Sequence, residues 1–148
     1  MSVHHFLLII HLICASIWIG GHLFLAIRML PKALKKKDVF ELKRFKNRYE
    51  PIGMPALIIL VITGVWMAYN YQVKISTWFS FSNPIEKVVS VKLILLIITF
   101  VLAQIADRFI FPKLDKKNMH TAAIFIIIVT IIGVAMLILG SFVRFGGL

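Results

Sequence analysis

Two histidines, His11 and His22, stand inside one long apolar run near the start of the chain. Imidazole in hydrocarbon is costly, so each calls for a metal, a cofactor or a hydrogen-bond partner. His4, His11, Trp18 and His22 share one helical stripe, because offsets of seven and eleven residues return to nearly the same face. At the usual helical rise His11 and His22 lie about 16 Å apart along the axis, too far for one metal ion. The spacing implies two sites at two depths, or one site and one structural histidine. His4 and His5 fall at the edge of the run and read as solvated interface residues.

Two chemistries compete for these residues. His22 can pair with His120, which opens the last apolar run from the same membrane face. Two neutral imidazoles facing across a bundle ligate a b-type haem iron, and Arg28 and Arg108 at that face would meet the propionates. The other candidate centres on His11, with Met67 and Met136 expected at a comparable depth. Imidazole plus thioether suits Cu(I), or a His/Met haem. Lys92, near that level, pairs with a propionate or snorkels outward. Against both stands the plainer reading that the histidines bond a neighbouring helix, the methionines fill the core and Cys14 packs. Gly20, Gly21, Gly64, Gly133 and Gly140 allow close helix approach or make room for a flat macrocycle. No phosphate loop, nucleophile elbow or paired intramembrane carboxylates appear.

These residues must be held by membrane-spanning helices. The 148 residues are 60% hydrophobic, beyond what one small soluble core can hide. The apolar residues gather in four runs of roughly 20, the length that spans hydrocarbon as a helix. The spacing predicts an all-α integral membrane protein, a four-helix transmembrane bundle forming one domain over residues 1–148. Helices are expected over 6–30, 52–72, 84–111 and 118–143. Pro31 should close the first, and Asn83-Pro84-Ile85-Glu86 should open the third. Between the first two, residues 31–51 read as a basic loop, with an amphipathic helix that sets Leu42, Phe45 and Tyr49 on one side and can run into the second span with bends at Pro51 and Pro55.

The formal charge of +11 would suggest nucleic acid in a soluble protein. Here the charge is concentrated in two loops, residues 31–50 and 108–119, so it reads as a topology signal instead. Both loops should face the cytoplasm and both termini the outer, periplasmic side. Trp78, Phe79 and Phe81 then sit in the outer aromatic belt. Glu50 and Asp107, beside basic residues at the inner interface, read as ion-paired anchors. The first run resembles no cleaved signal peptide, since no Lys or Arg precedes it.

His11-Leu12 with Trp18-Ile19-Gly20-Gly21-His22, then Pro31, resembles the first helix of small copper-resistance D (CopD-like) proteins. Arg44-Phe45, Tyr49-Glu50 with Gly53, Pro55-Ala56-Leu57, Thr63-Gly64, Lys92-Leu93, Arg108 with Pro112 and Arg144-Phe145-Gly146-Gly147 extend the likeness over nearly the whole chain. It implies a multi-pass protein of the bacterial inner membrane that handles copper. HemJ-type protoporphyrinogen oxidases, which bind b-type haem through histidine, are similar in layout but differ after the first-helix Trp.

The favoured reading is a small b-type cytochrome. Haem b lies between helices one and four on His22 and His120, with His11 for a second haem or metal. It would transfer electrons with a membrane or periplasmic redox partner or a quinone, or act as a membrane oxidoreductase on a membrane-soluble substrate. The alternative is a copper permease that passes Cu(I) along His11, Met67, Met136 and His22. A third is a structural or assembly subunit, homo-oligomeric or in a complex. The lipid bilayer is a partner in all three, and nucleic acid in none.

Overall fold

The computed structural model describes residues 2–148. Four helices account for most of it: α1 (Val3–Lys36), α2 (Val39–Asn70), α3 (Pro84–Ile110) and α4 (Met119–Val143). Each is long and apolar enough to cross a membrane. Among the described residues there is no strand. Ile124, Ile127, Ile128, Ile131 and Ile138 of α4 are β-branched and outward-facing, poor helix formers in water. In hydrocarbon every backbone N–H and C=O must be bonded within the chain, and the helix is the way one segment achieves that. The chain is a multi-pass membrane protein.

The helices run alternately up and down. α1 packs against both α2 and α4, and α3 packs mainly on α4. One end of the bundle carries both termini and the α2–α3 connection. The other carries the two basic connections and is called the basic end below. At about 1.5 Å per residue, α1 and α2 run roughly 50 Å, well past the ~30 Å hydrocarbon core.

The excess length corrects one expectation. Residues 31–51 are helical apart from the turn at Lys37–Asp38: the amphipathic helix is present and runs on into the second span through Pro51 and Pro55, whereas the expected end of the first helix at Pro31 is not observed. Pro31 fails to close the first helix because α-helical bonding gives way to a π segment over Leu25–Met29. The α-helix then resumes at Leu30, with the proline in its first turn. There its missing N–H and fixed φ cost little. Asp38 opens α2 by accepting from the Glu41 N–H at 3.1 Å, and Asn83 opens α3 by accepting from Glu86 N–H at 2.8 Å.

The basic end is a packed head. Leu30, Leu42, Ile110, Leu114 and Met119 cluster there, with Leu42 only 1% exposed. Ion pairs rim the head. Lys32 reaches Glu41 at 2.9 Å, and Lys46 reaches both Glu50 at 2.7 Å and Asp107 at 3.1 Å, joining α2 to α3. At mid-bundle Cys14, Ala15, Trp18, Ile19, Ala56 and Val129 form a second core.

Lys37 ends α1 in the left-handed conformation, φ 53°. A Cβ in that region is strained, and glycine is the usual residue. Lys37→Gly is expected to stabilise the protein by about 0.5–1 kcal/mol, seen as a higher midpoint in reversible denaturation. An unchanged or lower midpoint contradicts this reading of the turn.

Candidate functional site

The seam between α1 and α2 holds both histidines that lie within the spans, with Tyr49 and Thr63 of α2 as their neighbours. Along α1, His4, His11, Cys14 and Trp18 recur at seven-, three- and four-residue steps. Along α2, Gly53, Ala56, Leu60, Thr63, Met67 and Asn70 recur at alternating three and four. This is the spacing by which two helices interlock over many turns.

His11 meets α2 at Thr63, its Nδ1 2.8 Å from the Thr63 hydroxyl oxygen. That hydroxyl has one proton, and it donates to the Ile59 carbonyl at 2.7 Å, with the Leu60 carbonyl at 3.2 Å. The Thr63 oxygen therefore accepts, and His11 Nδ1 carries the hydrogen. Gly64 leaves room for the ring: a Cβ there would lie 3.4 Å from His11 Cε1.

His22 lies three turns closer to the basic end. Its Nδ1 is 2.8 Å from the Trp18 carbonyl oxygen, which can only accept, so this nitrogen too carries the hydrogen. The ring packs against Trp18 at 4.7 Å between centroids and meets Tyr49 edge-on at 5.7 Å. Tyr49 O–H donates to the same Trp18 carbonyl at 2.7 Å. Phe45 stacks on the far face of Tyr49 at 5.4 Å. The Tyr49 ring fits between the helices because Gly21 and Gly53 flank it. A Cβ on Gly21 would overlap the ring, and one on Gly53 would lie 2.6 Å from it.

Both intramembrane histidines thus hold Nδ1–H against an oxygen, and Nε2 makes no hydrogen bond among the described residues. A metal-ligating histidine has this form: one ring nitrogen donates to an oxygen that fixes the tautomer, and the other offers its lone pair.

Other expected residues are placed differently. His120 is exposed at the start of α4. The Thr130 hydroxyl lies 3.4 Å from the His22 carbonyl, so His22 is level with a residue ten positions further along α4. That is about 15 Å of helix from His120, and the structure does not bring the two imidazoles together. Arg28 and Arg108 are exposed at the basic end, and the described partners of the His22 ring are Trp18 and Tyr49. Gly20 has open space around it and serves no close approach, unlike Gly21.

Lys92 points inward and lies within electrostatic reach of His11. Gly140 gives it space, a Cβ there falling 3.4 Å from Lys92 Nζ. Gly133 abuts Trp18. Met136, between these two glycines on α4, packs on the mid-bundle core, deeper than His11 and short of His22. Met67 follows Thr63 by one turn of α2, on the side of the termini, and is half-buried. The thioethers therefore flank His11 along the axis instead of sharing its level.

Sequence reasoning named Thr63 and Tyr49 only within the family likeness and the amphipathic face, not as partners of the two histidines. Tyr49 has the periodicity of an interfacial helix, and only the glycine pair Gly21 and Gly53 hints that an aromatic ring enters there. Among the described residues no three of His, Cys, Asp and Glu gather to hold a metal ion.

A family model described as CopD, copper resistance protein D, matches residues 43–143, which is 101 of the 148 residues. The match takes in most of α2 and all of α3 and α4, and leaves out α1 with His11 and His22. No curated protein and no solved structure matches the chain. The likeness to HemJ-type proteins has no counterpart among these findings.

Proposed function

The chain belongs to the copper resistance protein D family, and from that premise we propose that it moves Cu(I) through the membrane along α1. The observation that carries this reading is the pair of imidazoles, His11 and His22, each with Nδ1–H committed to an oxygen and Nε2 open. Neutral imidazole and thioether are soft donors that hold Cu(I) with two or three ligands, so a three-carboxylate or three-histidine cluster is not needed. Met67, His11, Met136 and His22 follow one another along the bundle and supply such donors at successive depths.

Lys92 sets the character of the His11 site. A positive charge on Lys92, whose Nζ sits against Gly140 inside the bundle, would raise the energy of a cation bound at His11, the more so in a low dielectric. A site of that kind releases its ion readily. Transport requires sites that bind well enough to fill and weakly enough to empty. The arrangement therefore favours transit over storage.

The basic end carries most of the Lys and Arg, so in this reading it faces the cytoplasm of a bacterial inner membrane and both termini face outward. The b-type haem fits less well. Its iron needs axial ligands that face each other, and His22 has no opposed imidazole, His120 being about 15 Å away along α4 and exposed.

Anaerobic titration of the purified chain with Cu(I), against a chromophoric chelator, tests the reading. An absorption spectrum before and after dithionite belongs with it. The expected result is retained Cu(I) and no haem bands. A red protein with a sharp reduced α-band and no Cu(I) uptake contradicts it.

A further inference from the structure

At the end of the bundle that carries both termini, α1 and α2 part to leave an open cleft of about 700 Å³, lined by Val3, His4, Trp66, Asn70 and Tyr71. We propose that this cleft is where Cu(I) enters, with the His4 imidazole as its first protein ligand and the Met67 thioether as the next, ahead of His11. The inference rests on the copper reading above and assigns its point of entry.

Three observations converge. His4 is seven residues from His11 on the same face of α1, about 10 Å along the axis. Met67 falls between them in the register of α2 and is half-buried, three residues from Asn70 in the cleft wall and four from Thr63, which bonds His11. His4, Met67 and His11 therefore form steps of roughly one helical turn, about 5 Å each, short enough for an ion to exchange one ligand while keeping another. The chemistry of the cleft also suits a cation. Among the described residues no Lys or Arg lines it, and Trp66 and Tyr71 bring to its wall aromatic rings, which attract positive charge at their faces. Tyr71 meets the His4 ring edge-on at 5.6 Å, and among the described residues no hydrogen bond is made by either ring nitrogen of His4.

Entry is a ligand exchange with no redox step. Copper arrives as Cu(I) and stays Cu(I). A Cu–N bond forms to His4 as the thiol or thioether that delivered the ion leaves, and no electron moves. A solvated interfacial histidine, the plainer role for His4, would show no dependence of uptake on its ring.

The test is the rate of Ag(I) uptake by the full chain in nanodiscs, silver being a redox-inert stand-in for Cu(I). In His4→Gln uptake is expected to slow about tenfold, the low end of what losing a metal-site group costs. The equilibrium affinity of the inner sites should stay as in the unaltered chain. Met67→Leu, which keeps the apolar volume, should slow uptake in the same direction. Unchanged rates in both variants, with inner binding intact, overturn the entry site and leave the copper reading standing. An unaltered chain that takes up no Ag(I) overturns both.

Discussion

His11→Ala and His22→Ala are each expected to lose at least about 100-fold in Cu(I) affinity at their own site, since removing mere outer-shell partners of metal ligands already costs about 10–100-fold. The two losses should be separable, because the rings stand about 16 Å apart along α1 and share no partner. A chelator competition that resolves a tighter and a weaker step should lose one step in each variant. Thr63→Val is the matching control. It keeps the volume of the side chain but removes the oxygen that accepts from His11 Nδ1. The ring is then free to take the other tautomer, so affinity at His11 should fall about tenfold with His22 untouched. Equal Cu(I) binding by the unaltered chain and both alanine variants contradicts the assignment.

Gly21→Ala is expected to destabilise the bundle by about 2–3 kcal/mol, in the range of overpacked cores. The new methyl enters the space of the Tyr49 ring, which Gly53 confines from the other side. To move away, Tyr49 must give up its bond to the Trp18 carbonyl and its stacking on Phe45. The lost hydrogen bond contributes about 1 kcal/mol of the total. Tyr49→Leu in the same chain should recover part of the loss, because the two changes act on one contact and are not additive. The effect should also reach function. With Tyr49 displaced, His22 loses the ring that meets it edge-on, so Cu(I) binding weakens at His22 while the His11 step keeps its affinity. Unfolding midpoints in detergent measure the first effect and chelator competition the second. A stability equal to that of the unaltered chain would show that Tyr49 is not confined.

The four spans were legible because lipid leaves only one way to satisfy a backbone in a single segment. Runs of about 20 apolar residues bounded by Pro, Asn or Lys are therefore strong signals. The course of α1 beyond Leu30 was not legible. Pro31 is an ordinary stop signal, and nothing local announces the π segment at Leu25–Met29 that lets the helix continue through it. That error carries into the site. Depth for His22 counted from a helix end at Leu30 suggests a partner at the start of α4, whereas α1 continues to Lys36 and His22 lies level with Thr130. The stripe of His4, His11 and His22 followed from periodicity alone. The oxygens that fix the ring tautomers did not, since one is a backbone carbonyl a turn away and the other a threonine 52 residues distant. Glu50 and Asp107 were legible as charges beside basic residues. That both bind the one ammonium of Lys46 depends on α2 and α3 meeting at the basic end.

The account depends most on the state of two ring nitrogens, and nitrogen-15 NMR of labelled histidine side chains reads it directly. In the metal-free protein at neutral pH, His11 and His22 should appear as neutral rings with hydrogen on Nδ1. Addition of Cu(I) should move the Nε2 resonance of each while Nδ1 keeps its proton. Rings protonated on Nε2, or resonances that stay in place when Cu(I) is added, contradict the account.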